Sequence, residues 1–306
     1  MTQLDPISSD WLALRERADD RARDATTATL LPALRRSLTG GDSESGGSAQ
    51  VPVLVVDLGT GTGANPRWLM PRLSVPQTWL LVDHDQDLLA ELTVRLTGNA
   101  APWTSVVSDV AHLREVLTQH RRPGQAVLLT CAALLDLLDA RTVDEFAGVL
   151  QDFGAHGLFS LTVDGGGSFT PARPLDDAVQ AVFNAHQQRH GHLGPDGVEA
   201  LRQALGRAGE DTAGEAVTVT VQQTDWILDA ADAGDRALIE RLLQDRAAAV
   251  RDHVGSADYS ADESGRREML SASDVDAWLT DRLQATHGGA LRVRVGHQDV
   301  LVAPRG

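Results

Sequence analysis

The sequence predicts an α/β fold: a doubly wound, mostly parallel sheet with helices on both faces and a helical cap. Three observations predict it. Residues 51–56, VPVLVV, are a continuous β-branched run, the pattern of a strand buried on both faces. From there to Val163 strand-like and helix-like patterns alternate, as a parallel sheet with crossover helices requires. The first strand also runs into Gly59, Gly61 and Gly63, three glycines at alternate positions, which allow a tight turn and close backbone approach to a ligand.

The elements follow in order. Residues 1–40 read as a helical cap. Asp10 is the expected N-cap of a first helix whose stripe is Trp11, Leu12, Leu14 and Ala18. A second stripe is Ala25, Leu30, Leu31, Leu34 and Leu38. Residues 41–50, GDSESGGSAQ, have nothing to pack a core with and read as a flexible linker. Residues 51–306 then form the main domain. Helices are expected at 67–73, 87–96, 112–120 and 143–153, with strands at 79–82, 105–107, 126–130 and 157–163 between them. GGGSFTPARP is expected as a loop, with helices at 175–189 and 197–206 after it. AVTVTV, 216–221, alternates and predicts a strand with one wetter face. A long helix over 233–252, a polar loop over 254–271 and a helix capped by Ser273 come next. The tail LRVRVGHQDVLVAP alternates and predicts one or two antiparallel edge strands. Helical insertions are thus placed around 164–215 and 226–289.

Composition narrows the chemistry. The 306 residues carry 27 Lys+Arg against 43 Asp+Glu, a formal net charge of -16, which repels nucleic-acid backbones and anionic membranes. There is no lysine at all, which removes Schiff-base chemistry and the P-loop lysine. The one cysteine, Cys131, cannot form an internal disulfide, and no basic start with an apolar core marks a signal peptide. The longest apolar stretch, 126–138, is interrupted by Asp136 and too short for a bilayer. The expectation is a cytoplasmic protein acting on a small molecule, without nucleic-acid or membrane partners; a homodimer stays open.

The chemical signal is Asp57-Leu-Gly59-Thr60-Gly61-Thr-Gly63-Ala-Asn65, at the carboxyl end of the first strand, where open parallel sheets bind ligands. Three companions follow in order. The second strand ends in Asp83-His84-Asp85, an acid placed for a ribose diol. The third ends in Ser108-Asp109-Val110, an acid placed for an adenine amino group. The fourth ends in Thr130-Cys131-Ala-Ala, small residues that leave room for a ligand. This constellation resembles the class I S-adenosylmethionine-dependent methyltransferases, whose first motif, D-x-G-x-G-x-G, is matched by Asp57, Gly59, Gly61 and Gly63. WLALRE at 11–16 and FNAHQ at 183–187 further resemble an actinobacterial-type branch of that family. The resemblance implies a Rossmann-like seven-stranded sheet with an antiparallel last strand, S-adenosyl-L-methionine as cofactor and methyl transfer by in-line displacement. It also implies ribose binding by Asp83 beside His84, adenine binding by Asp109 with Val110 and Ser108, and a fourth motif at Thr130. Two alternatives stay open. Gly59, Gly61 and Ala64 satisfy the dinucleotide pattern of an NAD-type oxidoreductase, although Asp57 opposes a pyrophosphate. The other is a non-catalytic protein that keeps the fold.

Candidates for the acceptor side are fewer. His186 is read as a general base and Asn184 as a substrate hydrogen-bond donor, or both as a solvated helix face. His186, His190 and His192 lack a carboxylate at ligand spacing, so no metal is expected. Arg15 and Arg23 either fold over the crevice, one pairing with the methionine carboxylate, or are exposed partners of Glu16, Asp19 and Asp20. Asp136 faces the substrate or the outside of a helix. Trp226 walls a substrate pocket or belongs to the core.

Overall fold

The computed structural model describes residues 8–40, 51–98, 101–211, 217–256, 259 and 270–305. The expected linker 41–50 and most of the expected polar loop 254–271 lie outside the described residues. The VPVLVV run forms β1 (Val53–Leu58), and its residues alternate between two cores as the two-residue period of a strand requires. Leu54, Val56 and Leu58 face one side, with leucines and valines from α6 (Leu113–His120), α7 (Ala140–Asp152) and α9 (Gly197–Asp211). Val53 and Val55 face the other side, with α3 (Leu30–Leu38), α4 (Ala64–Leu73) and α5 (Gln86–Arg95).

The sheet has eight strands, one more than expected. Its order is β3 (Trp103–Val107), β2 (Gln77–Asp83), β1, β4 (Val127–Ala132), β5 (His156–Thr170), β8 (Arg292–Pro304), β6 (Val217–Gln223). The short β7 (Trp226–Asp229) also pairs with β8. β1 to β5 are parallel, and β8 runs antiparallel to β5, β6 and β7. The tail is therefore one interior strand and not an edge. Its VLV end is buried on both faces, Val300 and Val302 in one core and Leu301 in the other.

The GGGSFT segment is not a loop. β5 continues through it, with register shifts between Phe159 and Thr162 and between Val163 and Gly167, because β8 supplies hydrogen-bond partners as far as Thr170. Past the last β4–β5 pair, Ala132 and Ser160, the distal half of β5 pairs only with β8, and β7 pairs with β8 there. They are covered by α8 (Asp176–Gln187), α10 (Ala233–Val254), α11 (Ala272–His287) and α1 (Ser9–Ala22) in a third core. Here Trp278 packs edge-on against Phe169, ring centroids 5.8 Å apart.

Several helix starts differ from expectation. Ser8 caps α1 by accepting from Trp11 N at 3.3 Å, and Asp10 lies in the first turn. Ser271, not Ser273, caps α11, in a capping box with Asp274. The first forty residues divide in two. α2 (Asp24–Ala28) and α3 follow α1, and Leu30, Leu31 and Leu34 of α3 are buried against the main sheet and α4. α1 instead lies over the carboxyl ends of the strands.

Candidate functional site

The turn after β1 is built from backbone hydrogen bonds that only this sequence pattern permits. Thr60 N donates to Val82 O at 3.1 Å, and Gly63 N to Thr60 O at 2.9 Å. Gly63 takes φ +84° to start α4, and Gly61 takes φ +52°, both in the left-handed region. Gly61 N donates to Asp83 Oδ2 at 2.7 Å, and Asp85 N to Asp83 Oδ1 at 3.0 Å. The end of β2 is thereby locked to the glycine turn. Two N–H donors leave about two lone pairs free on the Asp83 carboxylate, enough for the two hydroxyls of a diol.

Asp57 is fully buried at the tip of β1. Its Oδ1 accepts from Asn65 Nδ2 in a short hydrogen bond. The same amide reaches Thr130 Oγ1 at 3.1 Å, so the tips of β1 and β4 share one donor group. Arg23 enters from the α1–α2 junction, 2% exposed, and donates through Nη2 to Asn65 Oδ1 at 2.8 Å and Ser160 Oγ at 3.1 Å. Its guanidinium stacks 3.6 Å from the Trp68 ring centroid. Its Nε lies 3.9 Å from Asp299 of β8, which also accepts from Thr26 Oγ1 at 2.7 Å and Leu161 N at 2.8 Å.

Two charges remain incompletely answered in this cluster. Arg23 Nε has no hydrogen-bond partner, and burial lowers the pKa of its guanidinium. Neither Asp57 Oδ2 nor the Thr60 hydroxyl makes a hydrogen bond of ordinary geometry. Burial pushes the Asp57 carboxyl up to about 7, against the opposing pull of nearby Thr60, Asn65 and Arg23. Asn65 bridges the acid and the base, so an unmet acceptor and an unmet donor flank one amide. That complementarity suits a zwitterionic amino acid group better than an anion alone.

The remaining cofactor candidates adjoin this cluster. Ser108 N donates to Asp83 O at 2.9 Å, which brings the end of β3 to the same edge. Asp109 caps the short 3-10 turn Val110–His112 by accepting from Ala111 N at 2.8 Å, with Val110 half-buried beside it. His84 is half-exposed, with Nδ1 3.4 Å from Asp83 Oδ1. Gly59 lies against Leu134, and a Cβ on Gly61 would meet Leu12 Cδ1 of α1 at 3.1 Å. α1 is thus in direct contact with the turn. Glu16 ties it to Arg67 of α4 at 2.6 Å, and Arg17 and Arg21 tie it to Asp232, the N-cap of α10, and Asp235 in its first turn, at 3.1 and 2.6 Å.

A second cluster joins α1 to β7. Arg15 makes a two-pronged bond to Asp19 at 2.9 and 3.2 Å and lies over the Trp226 ring at 5.1 Å. It is mostly buried, where the sequence left open an exposed surface pair. Trp226 is 3% exposed and donates to Asp19 Oδ1 at 3.0 Å. His297 sits 4.7 Å from that ring, and its pKa falls to about 4, first through burial and then through Arg15. Asp136 is buried just past β4, with Oδ1 unpartnered and its carboxyl pushed up to about 6 by burial.

His186 and Asn184 go elsewhere. His186 Nε2 is 3.4 Å from Asp252 of α10, and its ring meets His253 edge-on. Burial lowers its pKa, with Arg189 adding to the effect. Asn184 donates to Gly165 O at 2.9 Å and accepts from Gln180 at 2.8 Å, pinning the irregular stretch of β5. Neither bonds to a strand-tip residue. Sequence reasoning gave no role to Asn65 or Asp299. Asn65 was legible as the polar residue closing the glycine motif. Asp299 was legible as a lone acid in the apolar HQDVLV strand, a residue type that is rarely buried without a specific partner.

Among the described residues, no three His, Cys, Asp or Glu side chains gather as a metal site, and no helix is long and apolar enough to cross a membrane. No protein-family model matches the chain, and no curated protein matches it in sequence. Among solved structures it is similar to the cyclopropane synthase MmaA2 from Mycobacterium tuberculosis. Identity there is 14% and the TM-score 0.44, over 97% of this chain and 94% of that one. It is similar to Haemonchus contortus phosphoethanolamine N-methyltransferase 2, in complex with phosphomonomethylethanolamine and S-adenosylhomocysteine. Identity is 12% and the TM-score 0.39, over 98% of this chain and 61% of that one. It is also similar to the plantazolicin methyltransferase BpumL in complex with S-adenosylhomocysteine, at 9% identity and TM-score 0.40, over 97% and 91% of the two chains.

Proposed function

We propose that this chain is a cytoplasmic S-adenosyl-L-methionine-dependent methyltransferase acting on a small-molecule acceptor. The observation that carries the reading is the pair of unmet buried groups, Asp57 Oδ2 and Arg23 Nε, joined through Asn65 beside the glycine turn. An ammonium answers the first and a carboxylate the second, the two charged groups of a methionine moiety. Asp83 offers its remaining lone pairs to the ribose, and Asp109 lies at the next strand end for the adenine. A dinucleotide pyrophosphate at the glycine turn would instead meet the buried Asp57 carboxylate, which disfavours the oxidoreductase reading.

When bound, the cofactor supplies an electrophilic methyl on a positively charged sulfur. The chain's part is to orient the acceptor and exclude water. On this reading α1 is a lid that does the second, with Leu12 against the turn at Gly61 and Leu134 against it at Gly59. On the same reading Asp136, buried, with one oxygen unpartnered and within electrostatic reach of Arg15, holds a proton-bearing group of the acceptor.

The test is a thermal shift with S-adenosylhomocysteine, since a ligand that binds only the folded state raises Tm. The shift is expected with this ligand, absent with NAD, and lost in Asp83→Ala. A shift with NAD alone would overturn the reading.

A further inference from the structure

One face of the sheet is left open at the amino ends of its strands. Leu54 of β1 pairs in register with Thr78 of β2, and Thr104 of β3 pairs with Leu80. Leu54 and Leu80 belong to one core, so Thr78 and Thr104 lie on the same face. α6 covers that face with Leu113, Val116 and Leu117. It has only eight residues, about 12 Å of helix, and ends at His120. Residues 121–125 then turn back toward β4. Between that turn and the amino ends of β1, β2 and β3 lies a cavity of about 240 Å³, open to solvent. At ~30 Å³ each it has room for about eight waters, or for a ligand of about that many heavy atoms.

One buried amide fixes the walls. Gln125 is 4% exposed; its Nε2 donates to Pro52 O at 2.8 Å, and its Oε1 accepts from Arg122 N at 3.1 Å. The start of β1 is thereby tied to the turn that carries Arg122. Pro52, Leu54 and Pro102 make the lining apolar, Thr78 and Thr104 add hydroxyls, and His120 and Arg122 are exposed at the rim. Arg122 pairs with no carboxylate among the described residues, and no described acid lines the cavity. This is a local exception in a chain with 43 Asp+Glu against 27 Lys+Arg. An apolar hollow with a few convergent donors and an unanswered cation is the chemistry of an anion site.

We propose that this cavity binds a small flat organic acid, its apolar body against Pro52, Leu54 and Pro102 and its carboxylate on Arg122 and His120. A planar carboxylate matches the guanidinium fork with both oxygens, whereas inorganic phosphate would leave the apolar lining unfilled. The site lies at the other end of β1 from the glycine turn, six residues or roughly 20 Å away. It does not rest on the methyl-transfer reading.

Titration with benzoate, and with benzamide as its uncharged counterpart of the same size, tests the site by calorimetry and by amide shifts in NMR. Benzoate is expected to bind saturably and at least about fivefold more tightly than benzamide, the gap of one charge-assisted contact at an exposed rim. The largest shifts are expected at the amides of Thr78, Thr104 and Gln125. Arg122→Gln keeps the backbone N–H that meets Gln125, and is expected to fold and to lose the preference for benzoate. Thr104→Trp leaves Arg122 in place and fills the cavity, and is expected to weaken benzoate at least about tenfold. No saturable benzoate binding to the unaltered chain, equal affinity for benzamide, tighter binding of inorganic phosphate, or an unchanged preference in Arg122→Gln would overturn the site. Competition between benzoate and S-adenosylhomocysteine would overturn it too, by placing benzoate at the glycine turn. Benzoate binding without S-adenosylhomocysteine binding keeps this site and removes the methyl-transfer reading. The reverse overturns this site alone.

Discussion

The Asp57 carboxyl makes ligand affinity a function of pH. In the free protein it titrates at about 7, because burial penalises its charge and Asp83 adds to that while Arg23, Thr60 and Asn65 oppose it. An ammonium beside Oδ2 favours the ionised form, so binding is strongest where Asp57 has already lost its proton. At pH 6 roughly one-tenth of free molecules carry ionised Asp57, and at pH 8 roughly nine-tenths. The apparent Kd of S-adenosylhomocysteine is therefore expected to fall about tenfold from pH 6 to pH 8, about 1.4 kcal/mol, and to level off above that. Calorimetry at pH 6 in two buffers of different ionisation enthalpy is expected to show close to one proton released per ligand bound. Asp57→Asn removes both the charge and the titration, and its weaker Kd is expected to be flat across the range. A Kd independent of pH in the unaltered chain, or an unchanged slope in Asp57→Asn, refutes the assignment of Oδ2 to the ammonium.

Three further outcomes follow from the geometry. Asp136 is raised to about 6 from 3.8, so the folded chain keeps a proton that the unfolded chain releases. The penalty is absent below about pH 4 and complete above about pH 6; Asp136→Asn is expected to abolish a decline in unfolding free energy of up to about 3 kcal/mol over that interval, read by urea titration. Gly61→Ala forces an alanine to φ +52° and toward Leu12 Cδ1, so it is expected to cost about 1–3 kcal/mol and to speed amide exchange in α1. Unchanged exchange there would show that the lid does not rest on the turn. Leu31→Ala and Leu12→Ala separate core from lid: the first is expected to cost about 2–5 kcal/mol in denaturant unfolding, because Leu31 is fully buried. Leu12→Ala is expected to speed ligand association in stopped flow with little loss of stability, and equal association rates would count against lid opening.

Local pattern determined a large part of this protein. The β-branched VPVLVV run, the alternation up to Val163 and the glycines at 59, 61 and 63 specified a parallel sheet with a left-handed glycine turn at a strand end. These are short-range signals: a strand buried on both faces has no polar side, and a left-handed turn needs residues without Cβ. Asp57, Asp83, Asp109 and Thr130 were readable for the same reason, since each sits at a strand end whose place in the sheet follows from chain order.

What the tertiary structure decided depends on partners far apart in sequence. GGGSFT is strand only because β8, more than a hundred residues later, supplies the missing hydrogen bonds. The tail is interior because β6 covers its other side. Arg23 joins this cluster because Trp68 and Asn65 of α4, Ser160 of β5 and Asp299 of β8 converge on it from three separate elements. His186 is drawn to Asp252 because α8 packs on α10. Periodicity shows which side of a helix is apolar but not what it meets. Charge pairing across the fold is set by packing.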